Sequence, residues 1–310
     1  MKVFSGYSNR PLAEKVAEKM GCDLGVLISR RFSDGEIWVK YGENIRGLEV
    51  FLIQSTNSPA DNLMELLMMI DAAKRASAKK ITAVIPYYGY SRQDRKDQPR
   101  VSITAKLVAN LIQTAGADRV ITMDLHASQI QGFFDIPTDH LYGSSVFINR
   151  LISLNDNLAI VSPDVGGIKI ARAYAKSLGA SLVVIDKRRP QHNVAEIVNI
   201  IGNVEGKNVL LVDDLIDTGG TMVNAVNALR SYGAQRIFIA ATHGVLSGNA
   251  SKELNDSPVE KVFVTDTISI PENKQFEKLE VLSASSIFAE AITRTYNNES
   301  ISSLFFNEKS

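Results

Sequence analysis

The feature that most restricts what this chain can fold into is that it repeats itself. A helix-period segment ending Val16-Ala17-Glu18-Lys19-Met20-Gly21 leads to Val26-Leu27-Ile28-Ser29-Arg30-Arg31. A polar turn, a strand from Ile37, Gly47 and the apolar run Val50-Phe51-Leu52-Ile53 follow. In the second half, Tyr174-Ala175-Lys176-Ser177-Leu178-Gly179 leads to Val183-Val184-Ile185-Asp186-Lys187-Arg188, then to residues 195–201, Gly206 and Val209-Leu210-Leu211-Val212. Gly21 matches Gly179 and Gly47 matches Gly206, in the same order. Short β-branched runs alternate with helix-period segments, so an α/β class with mainly parallel sheets flanked by helices is expected. That alternation occurs in any α/β protein, and the ordered glycines are what argue for a duplication. At 310 residues the chain also exceeds the size at which one core usually stops growing. Two similar domains are expected, over residues 1–145 and 146–310. A further helix–strand stretch over 103–126 is partly echoed in 222–243.

The halves differ at one informative place. After the last matched strand the first half has Gln54-Ser55 and the second has Asp213-Asp214. If both halves share one fold, only the second keeps an acidic pair, and the two domains do different jobs.

The acidic pair belongs to Val209-Leu210-Leu211-Val212-Asp213-Asp214-Leu215-Ile216-Asp217-Thr218-Gly219-Gly220-Thr221. An apolar strand delivers carboxylates to its carboxyl end, where open α/β sheets bind ligands. Gly219 and Gly220 let backbone approach an anion, Thr218 and Thr221 add hydroxyls, and the helix that follows offers free N–H groups. Carboxylates for vicinal hydroxyls beside a cradle for a phosphate monoester fit a sugar phosphate. A Walker B strand would need a P-loop beside it. The nearest candidate, Gly202…Gly206-Lys207-Asn208, has the wrong spacing and no Ser or Thr after the lysine.

Lys+Arg and Asp+Glu both total 34, so no charge excess points to nucleic acid or an anionic membrane. The single cysteine, Cys22, excludes an internal disulfide and a cysteine-based zinc cluster. The opening MKVFSGYSNR lacks the apolar core of a signal peptide and no stretch approaches membrane-spanning length, so a cytoplasmic location is expected.

A second constellation, Ile121-Thr122-Met123-Asp124-Leu125-His126, again places polar groups beyond an apolar strand. Val161-Ser162-Pro163-Asp164-Val165-Gly166-Gly167 repeats the pattern with an acid before a glycine-opened helix, and Arg92-Gln93-Asp94-Arg95-Lys96-Asp97 supplies cations after the strand and turn at 85–89. By itself His126 reads as a hydrogen-bonded structural residue, Phe32-Ser33-Asp34-Gly35-Glu36 as a hairpin turn, and 186–193 as a solvated basic turn.

Together these segments resemble the ribose-phosphate pyrophosphokinase family, in its phosphate-activated class, over essentially the whole chain. The most specific parts are 118–137 and 213–221. The resemblance implies two type I phosphoribosyltransferase-like domains, ATP on the first and ribose 5-phosphate on the second, with phosphoribosyl diphosphate and AMP as products. It implies Mg²⁺, two per active site, one of them held by His126 and Asp164. It assigns ATP to Arg92 and Gln93, with Asp97 nearby, and to Phe32, Asp34, Gly35 and Glu36 as an adenine loop from a neighbouring subunit. Ribose 5-phosphate falls to Asp213, Asp214, Asp217, Thr218, Gly219, Gly220, Thr221 and Arg189. Lys187 and Arg189 become catalytic residues on a loop that closes over the phosphates. A homohexamer is implied, with phosphate and ADP as effectors near Ser128, Gln129 and the tail at 300–305, and with neither nucleic acid nor membrane as partner. Two departures stand out: Ser102 occupies a place where the family often has proline, and Pro190-Gln191-His192 is less basic than in many relatives. A phosphoribosyltransferase and a non-catalytic regulatory relative remain the alternatives. No side chain is singled out as a general base.

Overall fold

The computed structural model describes residues 1–154, 156–188 and 197–304, the side chains of 187, 188, 197, 198 and 303 excepted. In chain order the elements are β1 (Lys2–Ser5), α1 (Arg10–Lys19), β2 (Leu27–Arg31), β3 (Ile37–Tyr41), β4 (Glu49–Ile53), α2 (Asp61–Arg75), β5 (Lys80–Ile85), α3 (Thr104–Ala115), β6 (Arg119–Met123) and β7 (Thr138–Leu141). They continue as α4 (Ser144–Leu151), β8 (Leu158–Ser162), α5 (Ile168–Leu178), β9 (Ser181–Arg188), β10 (Ile197–Ile201), β11 (Asn208–Ile216), α6 (Gly220–Ser231), β12 (Ile237–Gly244), α7 (Ala250–Asp256), β13 (Lys261–Thr265), β14 (Leu279–Leu282) and α8 (Ser285–Tyr296). The chain is α/β, with mainly parallel sheets flanked by helices.

The first sheet runs β1-β4-β5-β6-β7, with every pairing parallel. The second contains β8-β11-β12-β13-β14 in the same order and also parallel, extended at its β8 edge by β9 and the antiparallel β10. The corresponding hairpin of the first half, β2–β3, forms a separate two-stranded sheet. Register makes the repeat explicit. Val50 pairs with Lys2 and Ile81, whereas Val209 pairs with Ala159 and Ile237. The helix before each hairpin gives way at a left-handed glycine, Gly21 at φ +67° and Gly179 at φ +62°, a backbone that residues with a Cβ rarely adopt.

Two points differ from the sequence expectation. The stretch over 103–126, which is α3 and β6, corresponds by register to α7 and β13, not to 222–243. Thr82 pairs with Arg119, and Phe238, at the matching register, pairs with Lys261. Helix α7 has only seven residues, too few for a visible helical period. The second point is the domain division. The chain forms two compact units, one of residues 1–142, 267–269 and 283–304, the other of 143–266 and 270–282. The C-terminal helix therefore belongs to the first unit. Helix α8 buries Phe288, Ala291 and Ile292 and packs against α1, which buries Leu12, Ala13 and Val16. Its counterpart α4, which follows β7, packs against α5 in the second unit.

Both faces of the second sheet are covered. Val209, Leu211, Ile237, Ile239, Val262 and Val264 face one core, and Leu210, Val212, Phe238, Ala240 and Phe263 face the other. Burial on two faces explains the unbroken apolar runs in the central strands. Among the described residues no helix is long and apolar enough to cross a membrane.

Candidate active site

Strand β11 extends beyond its apolar run, through Asp213 and Asp214 to Ile216, because β12 continues beside it: Asp213 pairs with Ala241 and Leu215 with His243. Asp214 is buried and Asp213 partly buried. The Asp214 N–H donates to Oδ1 of Asp213 at 2.9 Å. Burial pushes the Asp213 carboxyl well above the usual carboxylate range, and the like charges of Asp214 and then Asp164 push the same way. Three carboxylates thus share one end of the second sheet.

Beyond the acids, Thr218 is exposed, Gly219 is buried at φ +83°, and α6 begins at Gly220 with no side-chain cap. The first N–H groups of α6 therefore lack an intrahelical partner and face outward as donors for an anion. Asp164 stands on the neighbouring strand end, after β8. Its Oδ1 accepts the Gly167 N–H at 2.9 Å at the start of α5, and its own carbonyl accepts the buried Ser162 hydroxyl at 2.7 Å. Asp164, Asp213, Asp214, Asp217, Thr218, Gly219, Gly220 and Thr221 all lie in the second unit, at or beyond the carboxyl ends of β8 and β11.

At the matched place in the first unit the cradle is filled from within. Gln54 is fully buried; its Oε1 accepts the Ser8 N–H at 3.1 Å and the Ser8 hydroxyl at 2.8 Å. Its Nε2 donates to the Asn62 carbonyl at 3.1 Å and to Oε2 of Glu65 at 2.7 Å. The same Glu65 oxygen accepts the Tyr7 N–H at 2.9 Å. A Cβ on Gly6 would lie 2.4 Å from Oε1 of Gln54, so that side chain needs glycine beside it. A carboxylate on the buried face of α2 was the available sequence signal for this network, and the sequence reading missed it.

The remaining candidates of the first unit lie on separate loops. Arg92, Gln93 and Asp97 are exposed between β5 and α3. Gln93 is tied to the α3 start: its carbonyl accepts the Ala105 N–H at 3.1 Å and its Oε1 accepts the Thr104 hydroxyl at 2.6 Å. Ser102, standing where proline is frequent, accepts from the Thr104 hydroxyl at 3.0 Å. Phe32, Asp34, Gly35 and Glu36 form the turn between β2 and β3. The Phe32 N–H donates to the Glu36 carbonyl at 2.9 Å, and Gly35 takes φ +95°. Phe32 is 48% exposed, so its ring is open to stack on a ligand. His126 is exposed just past β6, beyond a turn in which Asp124 takes φ +37°. The Leu125 N–H donates to Nε2 of buried His140 at 3.0 Å, a support the sequence reading did not see because β7 is short and half polar. Arg189 lies outside the described residues, and of Lys187 only the backbone, in β9, is described.

Comparison with known proteins places this geometry among relatives. Residues 1–116 match the N-terminal domain of ribose phosphate pyrophosphokinase, and residues 183–306 match the phosphoribosyl synthetase-associated domain. The chain is 59% identical to a ribose-phosphate pyrophosphokinase of Chlorobaculum tepidum, with 98% of this chain and 95% of that protein covered. It is 55% identical to one from Caldanaerobacter subterraneus subsp. tengcongensis, with 98% of each covered. It is also similar to the crystal structure of phosphoribosylpyrophosphate synthetase from Mycobacterium smegmatis, at 42% identity and a TM-score of 0.91, over 96% of this chain and 99% of that one.

Proposed function

The chain belongs to the ribose-phosphate pyrophosphokinase family, and from that premise we propose that it transfers the β,γ-diphosphoryl group of ATP to the 1-hydroxyl of ribose 5-phosphate, giving phosphoribosyl diphosphate and AMP. The observation that carries the reading is the carboxylate pair beside a glycine-opened helix in the second unit, set against its filled counterpart in the first. The second unit's strand end offers groups that suit a pentose phosphate, whereas Gln54 in the first is already bonded to Ser8, Asn62 and Glu65.

In this reading Asp213 and Asp214 accept hydrogen bonds from the vicinal ribose hydroxyls. The N–H groups at the start of α6, with the Thr218 and Thr221 hydroxyls, take the 5-phosphate. Asp217, Gly219, Gly220 and Arg189 complete that contact. Arg92 and Gln93, with Asp97, take the ATP phosphates, and Phe32, Asp34, Gly35 and Glu36 take adenine. Phosphoryl-type transfer asks the protein chiefly for positioning and charge neutralisation. Lys187 and Arg189 supply the positive charge opposite the migrating group.

The oxygen-rich acids of the second unit fit a hard divalent cation, since burial and then the like charge of Asp214 oppose ionisation of Asp213, and a bound cation would favour it. No group of three or more His, Cys, Asp or Glu forms a ready cage among the described residues, in keeping with Mg²⁺, which is commonly held by one or two carboxylates plus substrate phosphates. His126 and Asp164 are the proposed ligands of one Mg²⁺, and Asp213 with Asp214 of a second. Such an ion would neutralise charge on the phosphate oxygens. A cytoplasmic homohexamer with a shared ATP site, and phosphate and ADP as effectors near Ser128, Gln129 and the 300–305 tail, belong to the same proposal, supported by the family resemblance.

The test is to mix the pure protein with MgATP and ribose 5-phosphate. AMP should appear, not ADP, and only when the sugar is present. Formation of ADP would replace the reading with an ordinary kinase. Consumption of phosphoribosyl diphosphate with a nucleobase would favour a phosphoribosyltransferase, and no turnover a regulatory relative.

A further inference from the structure

The loop carrying Asp217, Thr218 and Gly219 is anchored from outside, by the turn that leaves β12. Val245 and Leu246 both donate N–H groups to the Ile216 carbonyl, at 3.0 and 3.1 Å, and Ser247 donates its N–H to the Asp217 carbonyl at 2.9 Å. Leu246 holds a left-handed backbone, φ +49°, while buried to 1% exposure. A branched residue keeps that disfavoured conformation only where its surroundings over-determine it. Helix α7 then starts at Ala250, fully buried and in one core cluster with Ile216, Met222, Leu246 and Leu254. A Cβ at Gly219 would lie 3.4 Å from both Cα and Cβ of Ala250, which is ordinary van der Waals contact, so the gap between the two residues is about one methyl group wide. The residues before Gly219 are thus held by hydrogen bonds, and Ala250 faces the space that a side chain at Gly219 would enter.

We propose that this turn is the positioning brace of the sugar-phosphate cradle, and that Ala250 sets how far Gly219 and the first N–H groups of α6 stand from the phosphate. The inference rests on the reading of that cradle as the ribose 5-phosphate site. Ala250 touches no ligand; it acts through Gly219. Added atoms at position 250 would fill the gap beside Gly219 and crowd its backbone, and displacing positioning groups by about 1 Å can cost on the order of 10²-fold. A merely structural contact would lower stability without changing affinity selectively.

The test compares Ala250→Gly, Ala250→Ser and Ala250→Val in the full chain. Ribose 5-phosphate binding is measured by calorimetry, KM for each substrate by AMP formation, and stability by thermal melting. Val226→Ala, which hollows the buried face of α6 away from the cradle, is the stability control. Ala250→Val should raise Kd and KM for ribose 5-phosphate about 10-fold or more, with Ala250→Ser intermediate, Ala250→Gly close to the unaltered protein, and KM for ATP within about two-fold. If Ala250→Val does not fold, Ala250→Ser decides. Unchanged ribose 5-phosphate affinity in the serine and valine variants, equal rises in both KM values, or an equal KM rise in Val226→Ala would each overturn the brace. Failure of the unaltered protein to bind ribose 5-phosphate would overturn the cradle reading itself, and the brace with it.

Discussion

Gln54 in the first unit occupies the register position that Asp213 occupies in the second, four residues beyond the valines that pair with both neighbouring strands. One is an amide sealed into a network with Ser8, Asn62 and Glu65; the other is a carboxylate whose ionisation is opposed by burial and then by its acidic neighbour Asp214. A single substitution class thus separates a filled cradle from an open one. Gln54→Ala should strip partners from the Ser8 hydroxyl and from Glu65, whose Oε1 already has no partner. Leaving such groups buried costs about 1–3 kcal/mol each. Urea or thermal unfolding should register that loss, whereas calorimetric ribose 5-phosphate affinity should stay as it was. A large fall in affinity would mean the first unit's counterpart is not silent.

The sequence showed the repeat, the acidic strand end and the glycine-opened helix because each is local: apolar runs, paired glycines and adjacent carboxylates are read within a dozen residues. It did not show β7 and β14. Both are edge strands, Thr138-Asp139-His140-Leu141 and Leu279-Glu280-Val281-Leu282, half exposed and so without an unbroken apolar run. The placement of α8 on α1 was hidden for another reason. Helical periodicity says that Phe288 and Ile292 must be buried, not against which half of the chain. The Gln54–Glu65 contact likewise joins β4 to α2 through side chains whose direction no pattern specifies.

The burial of Asp213, with Asp214 and Asp164 beside it, has a pH signature in the metal-free protein. A carboxyl whose folded-state pKa lies above its unfolded value binds more protons when folded, so stability falls as pH rises between the two values and the full penalty persists above them. Asp213→Asn removes the charge yet keeps an oxygen able to accept the Asp214 N–H. The variant should therefore melt above the unaltered protein at alkaline pH, and the gap should close on acidification toward the ordinary carboxylate range. Each 1 kcal/mol corresponds to roughly 2–4 °C for a unit of this size. Parallel melting curves at every pH would contradict the assignment of the penalty to Asp213.

Helix α8 supplies the first unit with buried side chains from the far end of the chain. Phe288 is fully buried, and truncating a core phenylalanine costs about 3–5 kcal/mol, a large part of a domain's stability. Phe288→Ala should loosen α1 as well as α8. Hydrogen exchange would then rise in residues 10–19, within the first unit, with little change in β11 or β12. Faster exchange confined to 285–296 would show that the helix is expendable.

Lys187 lies in the second unit's β9 and Arg189 comes two residues later in the sequence, and the reaction asks for cations because the diphosphoryl group gathers negative charge as it moves. Interactions made chiefly in the transition state lower turnover when removed, while those shared with the bound substrate raise KM. Lys187→Ala and Arg189→Ala should accordingly reduce kcat about 10²-fold or more with a smaller change in KM for either substrate. Because Arg189 is also proposed to touch ribose 5-phosphate, its variant should show the larger KM effect of the two. Steady-state AMP formation at saturating MgATP and ribose 5-phosphate separates the outcomes: near-normal turnover in both variants removes the pair from the catalytic set, and a pure KM effect reduces them to substrate binders.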